Sequence, residues 1–238
     1  MTEVIINQYF ALGDILFIEP IYRYYHNRGF KVIAPILPEY LWIQEYIPYV
    51  EFHDKNKYPY SYETVEQKED GRLHLPLRFA HPLLRGYDLH YGDDRLHWMP
   101  DKYEFLGFPV EMWKTLKFAR NKEREKKLFE SLNLPDKYNF VNNTFGGSFE
   151  KINITNVDSL PSVFMSKIEG FTLLDWGMVI ENAENIYTVE TSVVYYIESL
   201  ETKAAKFELY PRFPFLDNCE YMRLTLGDKW IYHDKTNI

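Results

Sequence analysis

An apolar run followed by a helical pattern opens the chain and constrains its fold most strongly. Val4, Ile5 and Ile6 are continuously apolar, which is typical of a central parallel strand covered on both faces. Residues 16–28 carry apolar side chains at helical spacing, and a second apolar segment, Lys31–Ile36, follows Gly29. A strand, a helix and a strand in this order predict a βαβ unit with parallel strands.

The segment between this strand and helix holds the first candidate functional residues. Gly13 can adopt backbone angles that a Cβ atom forbids and lets another molecule come close, so we expect a tight turn at Gly13-Asp14. Asp14 would then lie at the helix start, beyond the carboxyl end of the strand, where open α/β sheets bind ligands. A carboxylate there can cap the helix or act as a base, and the residues leave both roles open.

Composition excludes several classes of function. The 238 residues suffice for one large or two small domains. A net charge of −8 argues against a nucleic-acid binder, which needs a basic surface. A single cysteine, Cys219, suits a reducing compartment, and no signal-peptide pattern is seen, so we expect a cytoplasmic protein. No apolar run approaches the roughly 20 residues of a membrane span, which leaves room for peripheral membrane contact.

The second half of the chain repeats the alternation of strands and helices. A predicted strand over residues 138–143 leads into Thr144 and two glycines, which can form an anion cradle or a plain turn, and Lys151 follows. A later predicted strand ends at Glu190, and Thr191-Ser192 begin a helix that is either a phosphate-facing helix or simply a capped one. The composition changes near residue 118, which predicts domains of residues 1–118 and 119–238.

Two of these segments resemble one enzyme family. Leu12-Gly13-Asp14-Ile15-Leu16, with Pro20 after it, resembles the N-terminal Gly-Asp turn of heptosyltransferase-like glycosyltransferases, and Glu190-Thr191-Ser192 is similar to part of their donor-binding half. The resemblance implies a small version of the GT-B fold, an α/β architecture of two Rossmann-like domains facing a cleft. It also implies an inverting enzyme that needs no metal or other cofactor and moves a hexosyl, heptosyl or pentosyl group from a nucleotide-sugar to a glycan, a lipid-linked molecule or another hydroxyl acceptor.

The same resemblance implies roles for individual residues. Asp14 would be the catalytic base in an acceptor-binding N-terminal domain, and a nucleotide-sugar-binding C-terminal domain would supply the donor contacts. The donor diphosphate would be held by Thr144, Lys151, Thr191 and Ser192, the donor sugar by Glu190, and the ribose by Glu181. The family usually has Asp and Gly where this chain has Glu190 and Ser192, so a catalytically inactive sugar- or nucleotide-binding protein is the second hypothesis.

Residues 81–99 hold the densest cluster of titratable side chains and permit three interpretations. His90, Asp93, Asp94 and His97 could bind a metal ion, although their spacing matches no zinc signature. Asp93-Asp94 could instead be the acidic pair of a metal-dependent glycosyltransferase. The third interpretation is a solvated loop and helix start at the cleft, with Arg85, His90 and His97 as acceptor-binding residues. Gly13, in the N-terminal segment, is a further candidate acceptor-binding residue.

Four further segments have local patterns that predict structure less directly. We expect a strand at residues 113–118, and a strand or loop at residues 73–79. The polar residues 54–72 predict a loop with an exposed hairpin that could shape an acceptor site. The apolar residues in 221–234 suggest that the end of the chain returns to pack on the first domain.

Overall fold

The computed structural model describes residues 2–8, 11–57, 66–67, 71–80, 98–145, 150–154, 157–212 and 220–233. The chain divides into two units, Met1–Ala119 and Arg120–Ile238. Each unit is built on a sheet of mainly parallel strands with helices between them, which confirms the predicted α/β class. None of the helices within the described residues is long and apolar enough to cross a membrane.

The first unit is organised around its first strand. Its described strands are β1 (Glu3–Ile6), β2 (Lys31–Ile36), β3 (Val50–Asp54), β4 (Glu66–Gln67) and β5 (Leu73–Leu75). They lie in the order β3-β2-β1-β5-β4, and only the pairing of β4 with β5 is antiparallel. The chain runs outward from β1 to β3 and then returns to the other side of β1. The strand order therefore reverses between β1 and β5, a topological switch point.

Two helices, not one, follow β1. The described helices of this unit are Leu12–Phe17, Glu19–Asn27 and Trp98–Glu104, with 3-10 helices at Pro38–Glu45, Leu77–Phe79 and Val110–Thr115. The break lies at Ile18, and Pro20 occupies the first turn of the second helix, where its missing N–H is tolerated. Gly29 ends this helix as predicted: it has a φ of 81°, and the Phe30 N–H donates to the Tyr25 carbonyl at 3.2 Å.

The predicted strand at residues 113–118 is wrong. Val110–Thr115 is a 3-10 helix, and Trp113 packs against Phe17 with a ring-centroid distance of 5.8 Å. Trp113, Leu116 and Phe118 are buried between exposed neighbours, so the pattern reflects local burial and not an extended backbone. Within residues 54–72, the described Glu66–Gln67 pairs with β5, and residues 58–65 and 68–70 lie outside the described ranges.

The second unit has a five-stranded parallel sheet and a separate two-stranded ribbon. Its described strands are β6 (Asn139–Asn142), β7 (Thr144–Phe145), β8 (Glu150–Lys151), β9 (Ser162–Phe164), β10 (Asn185–Val189), β11 (Lys206–Tyr210) and β12 (Ile231–Tyr232). The sheet order is β12-β11-β10-β6-β9, and β7 pairs with β8 in antiparallel fashion. The order reverses between β6 and β10, which gives this sheet a switch point of its own.

Side-chain caps mark where helices of the second unit begin. The described helices are Lys122–Ser131, Gly177–Glu181, Ser192–Glu198 and Glu220–Leu226, with a 3-10 helix at Leu173–Trp176. Thr172 and Asp175 form a capping box, and Thr191 is the N-cap of Ser192–Glu198, as predicted. The described Ile231–Tyr232 pairs as β12 with β11 and extends the second sheet, and the expectation that the chain end packs on the first domain stays a prediction.

Candidate functional sites at two switch points

Asp14 lies in the first helical turn after β1. The helix begins at Leu12, and its N-cap, Ala11, has an extended backbone and no side-chain cap. Gly13 and Asp14 are therefore the second and third helical residues. The predicted turn at Gly13-Asp14 is wrong, and so is the cap interpretation of Asp14, because both residues are already helical and Ala11 takes the cap position. Asp14 still follows the carboxyl end of β1, the strand at the switch point.

A buried lysine from a distant helix pairs with Asp14. The Asp14 residue is 5% exposed and Lys102 is fully buried. The Lys102 Nζ lies 3.1 Å from Asp14 Oδ1 and donates a hydrogen bond to Gln8 Oε1, also at 3.1 Å. Burial lowers the pKa of Lys102, while the charges of Asp14 and Asp101 act in the opposite direction. The result is a buried ion pair at the end of β1. No pattern in the sequence around Lys102 predicts this pairing.

Other buried polar groups surround this pair. Burial raises the pKa of Tyr22, and the negative charge of Asp14 raises it further. The Tyr22 hydroxyl and both amide atoms of Asn7 are buried and have no hydrogen-bond partner among the described residues. The Asn7 N–H donates to the Leu75 carbonyl at 2.8 Å, so Asn7 continues the β1–β5 pairing.

Hydroxyl and amide groups meet at the switch point of the second sheet. The Asn142 amide donates to Thr188 Oγ1 at 3.0 Å and to Thr191 Oγ1 at 3.1 Å. Thr144 donates to Asn142 Oδ1 at 3.5 Å and lies opposite Lys151 in the β7–β8 ribbon. The structure thus brings Thr144, Lys151 and Thr191 to the carboxyl ends of β6 and β10, with Ser192 directly after Thr191.

Glu190 is a buried carboxyl group at the same edge. It follows β10, is 2% exposed, and its Oε2 has no hydrogen-bond partner among the described residues. Burial raises the pKa of Glu190 to about 8, although the charge of Arg212 acts to lower it. Glu190 is therefore mostly protonated at pH 7 and can both donate and accept hydrogen bonds.

Arg212 is the residue at this edge that sequence reasoning missed. It follows β11, which pairs with β10 so that Val189 lies opposite Tyr210. Its Nε atom is buried and has no hydrogen-bond partner within the described part of the chain. A basic residue just beyond the carboxyl end of a predicted parallel strand was the available signal.

Glu181 lies away from this group. Arg120 forms a two-pronged ion pair with the Glu181 carboxylate, and Lys122 Nζ is 3.7 Å from it. The helix Gly177–Glu181 ends just before β10 begins, and the Glu181 carbonyl accepts from the Lys203 N–H at 3.3 Å. Glu181 is therefore at the amino-terminal edge of the sheet, opposite Glu190, and its predicted ribose contact stays untested.

Several predicted site residues lie outside the described residues. These are Arg85, His90, Asp93, Asp94 and His97. Their predicted contacts with an acceptor or a metal ion stay predictions. Among the residues that the structure does describe, no group of three or more His, Cys, Asp or Glu side chains could hold a metal ion.

Two solved structures are similar to this chain. The first is described as a glycosyl transferase family 9 protein from Veillonella parvula, with 9% identity, a TM-score of 0.46, and coverage of 88% of this chain and 80% of the other. The second is described as the iron-containing dodecameric glycosyltransferase TibC from enterotoxigenic E. coli, with 9% identity, a TM-score of 0.44, and coverage of 88% and 58%. No protein-family model and no curated protein matches the chain.

Proposed function

We propose that the protein is an inverting, metal-independent glycosyltransferase. One observation carries the proposal: a carboxylate, Asp14, is buried with a lysine counter-charge at the carboxyl end of β1, beside the switch point of the first sheet. Switch points are where open α/β sheets bind their ligands. A positioned carboxylate there is suited to accept a proton from a hydroxyl nucleophile.

The proposed reaction transfers a sugar from a nucleoside-diphosphate donor. An acceptor hydroxyl attacks the anomeric carbon as the bond from that carbon to the phosphate oxygen breaks. The hydroxyl proton passes to Asp14, and the nucleoside diphosphate leaves with the bond's electron pair. Attack from the face opposite the leaving group inverts the anomeric configuration.

The second unit would hold the donor. Lys151 supplies a positive charge, and the Thr144 hydroxyl lies opposite it in the β7–β8 ribbon. Together with the backbone N–H groups at Thr191 and Ser192, they would stabilise the negative charge that develops on the leaving diphosphate, in place of a metal. Glu190, mostly protonated at pH 7, would hydrogen-bond a hydroxyl of the donor sugar.

The proposal also includes a GT-B arrangement, in which residues 1–118 bind the acceptor and residues 119–238 bind the donor across a cleft. Gly13, Arg85, His90 and His97 are the proposed acceptor contacts. The acceptor is a glycan or another hydroxyl compound, and a lipid-linked acceptor would bring the protein to a membrane surface. We propose a cytoplasmic location, where nucleotide-sugars would be the donors.

A thermal-shift screen with UDP, GDP, ADP, CMP and dTDP compounds tests donor binding first. A ligand at 100 times its Kd stabilises the folded state by about 2.7 kcal/mol, so a matching nucleotide gives a clear shift. Turnover of the matching nucleotide-sugars is then measured with and without EDTA. We expect turnover that EDTA does not reduce, and loss of activity on chelation would refute metal independence.

A binding protein without catalytic activity is the second candidate. The observation that favours it is the ion pair itself, because Lys102 occupies one side of the Asp14 carboxylate. Selective nucleotide binding without transfer or hydrolysis of any donor in the panel would support this candidate over the enzyme.

A further inference from the structure

We propose that Lys102 is a positioning residue for Asp14: its ammonium group is the counter-charge of the buried carboxylate and orients it toward the acceptor hydroxyl. This inference rests on the proposed function, in which Asp14 accepts a proton. Lys102 does not contact the reacting atoms in this scheme and acts only through Asp14.

The position of the Lys102 ammonium is fixed from two sides. Its Nζ lies 3.1 Å from both Asp14 Oδ1 and Gln8 Oε1. Gln8 follows β1 and is fully buried, as is Lys102, whereas Asp14 belongs to the next helix. The ammonium therefore joins the end of the strand to the first turn of the helix that carries the carboxylate.

The helix that carries Lys102 is itself fixed to the helix of Asp14. The neighbouring residue, Tyr103, donates a hydrogen bond from its hydroxyl to the Phe17 carbonyl at 2.6 Å. The rings of the same two residues pack edge to face at 5.2 Å between centroids. Because Phe17 ends the helix that begins at Leu12, these contacts hold Lys102 at a set distance from Asp14.

Charge explains why a buried base needs this partner. A carboxylate that is removed from water without a counter-charge is costly and takes up a proton instead. Among the described residues, the ionisable groups that act on this pair include Asp101, beside Lys102, and the hydroxyls of Tyr22 and Tyr40, near Asp14. When Asp14 receives the acceptor's proton, the charge of Asp101 still acts to stabilise the Lys102 ammonium. The pair can thus be ionised before proton transfer without leaving an isolated charge afterwards.

The test compares Lys102→Met with the wild type across pH, using the donor found in the nucleotide-sugar panel. At pH 7 we expect kcat to fall at least about tenfold, and by no more than the factor of about 10²–10⁴ that general-base catalysis contributes. The loss should shrink as pH rises, because Asp14 without its counter-charge ionises only at higher pH. The KM for the donor should not change. Lys102→Arg retains the charge and should restore part of the rate.

Lys31→Met is the matched control, since Lys31 forms ion pairs with Glu51 (3.0 Å) and Glu3 (3.5 Å) in the same unit but is partly exposed. It should leave the pH–rate profile unchanged. A loss of equal size at every pH in Lys102→Met would show a purely structural role and overturn the inference, as would wild-type activity.

A second arm uses urea unfolding and needs no substrate. Lys102→Met should unfold at lower urea than the double variant Asp14→Asn/Lys102→Met, in which the Asp14 charge is removed together with its counter-charge. The reverse order, or equal midpoints, would overturn the inference. If the wild type turns over no donor, the proposed function fails, and this arm still decides whether Lys102 is the counter-charge of Asp14.

Discussion

Replacing Glu190 with glutamine should stabilise the protein, and increasingly so as the pH rises. Burial raises the pKa of Glu190 from its ordinary 4.5 to about 8 in the folded protein. Between these pH values the folded state keeps a proton that the unfolded chain has released, so the free energy of unfolding falls with rising pH. At about 1.4 kcal/mol for each pH unit, the full loss is about 5 kcal/mol above pH 8. Glutamine does not titrate and loses none of this.

The measurement is urea unfolding of both proteins from pH 5 to pH 9. A loss of about 5 kcal/mol is as large as the whole stability of many domains, so the two curves should separate clearly. The Glu190→Gln variant should gain on the wild type steadily through this interval. Parallel curves would refute the reasoning, because they would mean that Glu190 ionises in the folded protein as readily as in the unfolded chain.

Glu208→Gln is the matched control with the opposite sign. Glu208 is also buried, in the adjacent strand β11. Burial alone would raise its pKa, but hydrogen bonds from Lys206 and Tyr210 hold the pKa below its ordinary value. An ionised Glu208 therefore stabilises the fold above pH 4.5, and this contribution is lost as pH falls. The Glu208→Gln variant should be less stable than the wild type at pH 7, and the difference should shrink in acid.

Three further predictions follow from particular contacts. Asp14→Asn should reduce donor turnover by about 10²–10⁴ without weakening nucleotide binding, and an active variant would refute the assignment of the base. Gly177→Ala should cost about 1–3 kcal/mol of stability by urea unfolding, because a Cβ there meets the Tyr196 hydroxyl and lies 2.5 Å from Arg120 Nη2. Thr191→Ala should cost about 1 kcal/mol, since Thr191 caps Ser192–Glu198, and an unchanged unfolding midpoint would contradict that role.

Local sequence patterns were sufficient to predict those elements whose structure depends on interactions between neighbouring residues. The bounds of β2 and β11, the stop at Gly29 and the capping box at Thr172 could all be predicted from neighbouring residues. The 3-10 helix at Val110–Thr115 could not, because its alternating burial is set by packing on a helix almost 100 residues earlier. The contact between Trp113 and Phe17 cannot be predicted from the residues around Val110–Thr115.

The candidate sites show the same division. Sequence placed Asp14 and Glu190 at the ends of the correct strands, since a strand and the residue after it are neighbours in the chain. Lys102 and Arg212 could not be found in this way. Lys102 reaches Asp14 through the packing of a helix that lies far along the chain, and Arg212 reaches the charge of Glu190 through the pairing of β10 with β11.

Each sheet therefore ends in a buried carboxyl group, and the surroundings give the two groups different chemistry. Asp14 has the Lys102 ammonium at 3.1 Å, which favours the ionised form that a base requires. Glu190 forms no ion pair among the described residues, and burial keeps it mostly protonated at pH 7. The sequence alone shows only that Asp14 and Glu190 are both acidic. The position of Lys102 beside Asp14 is what makes the surroundings of the two carboxyl groups different.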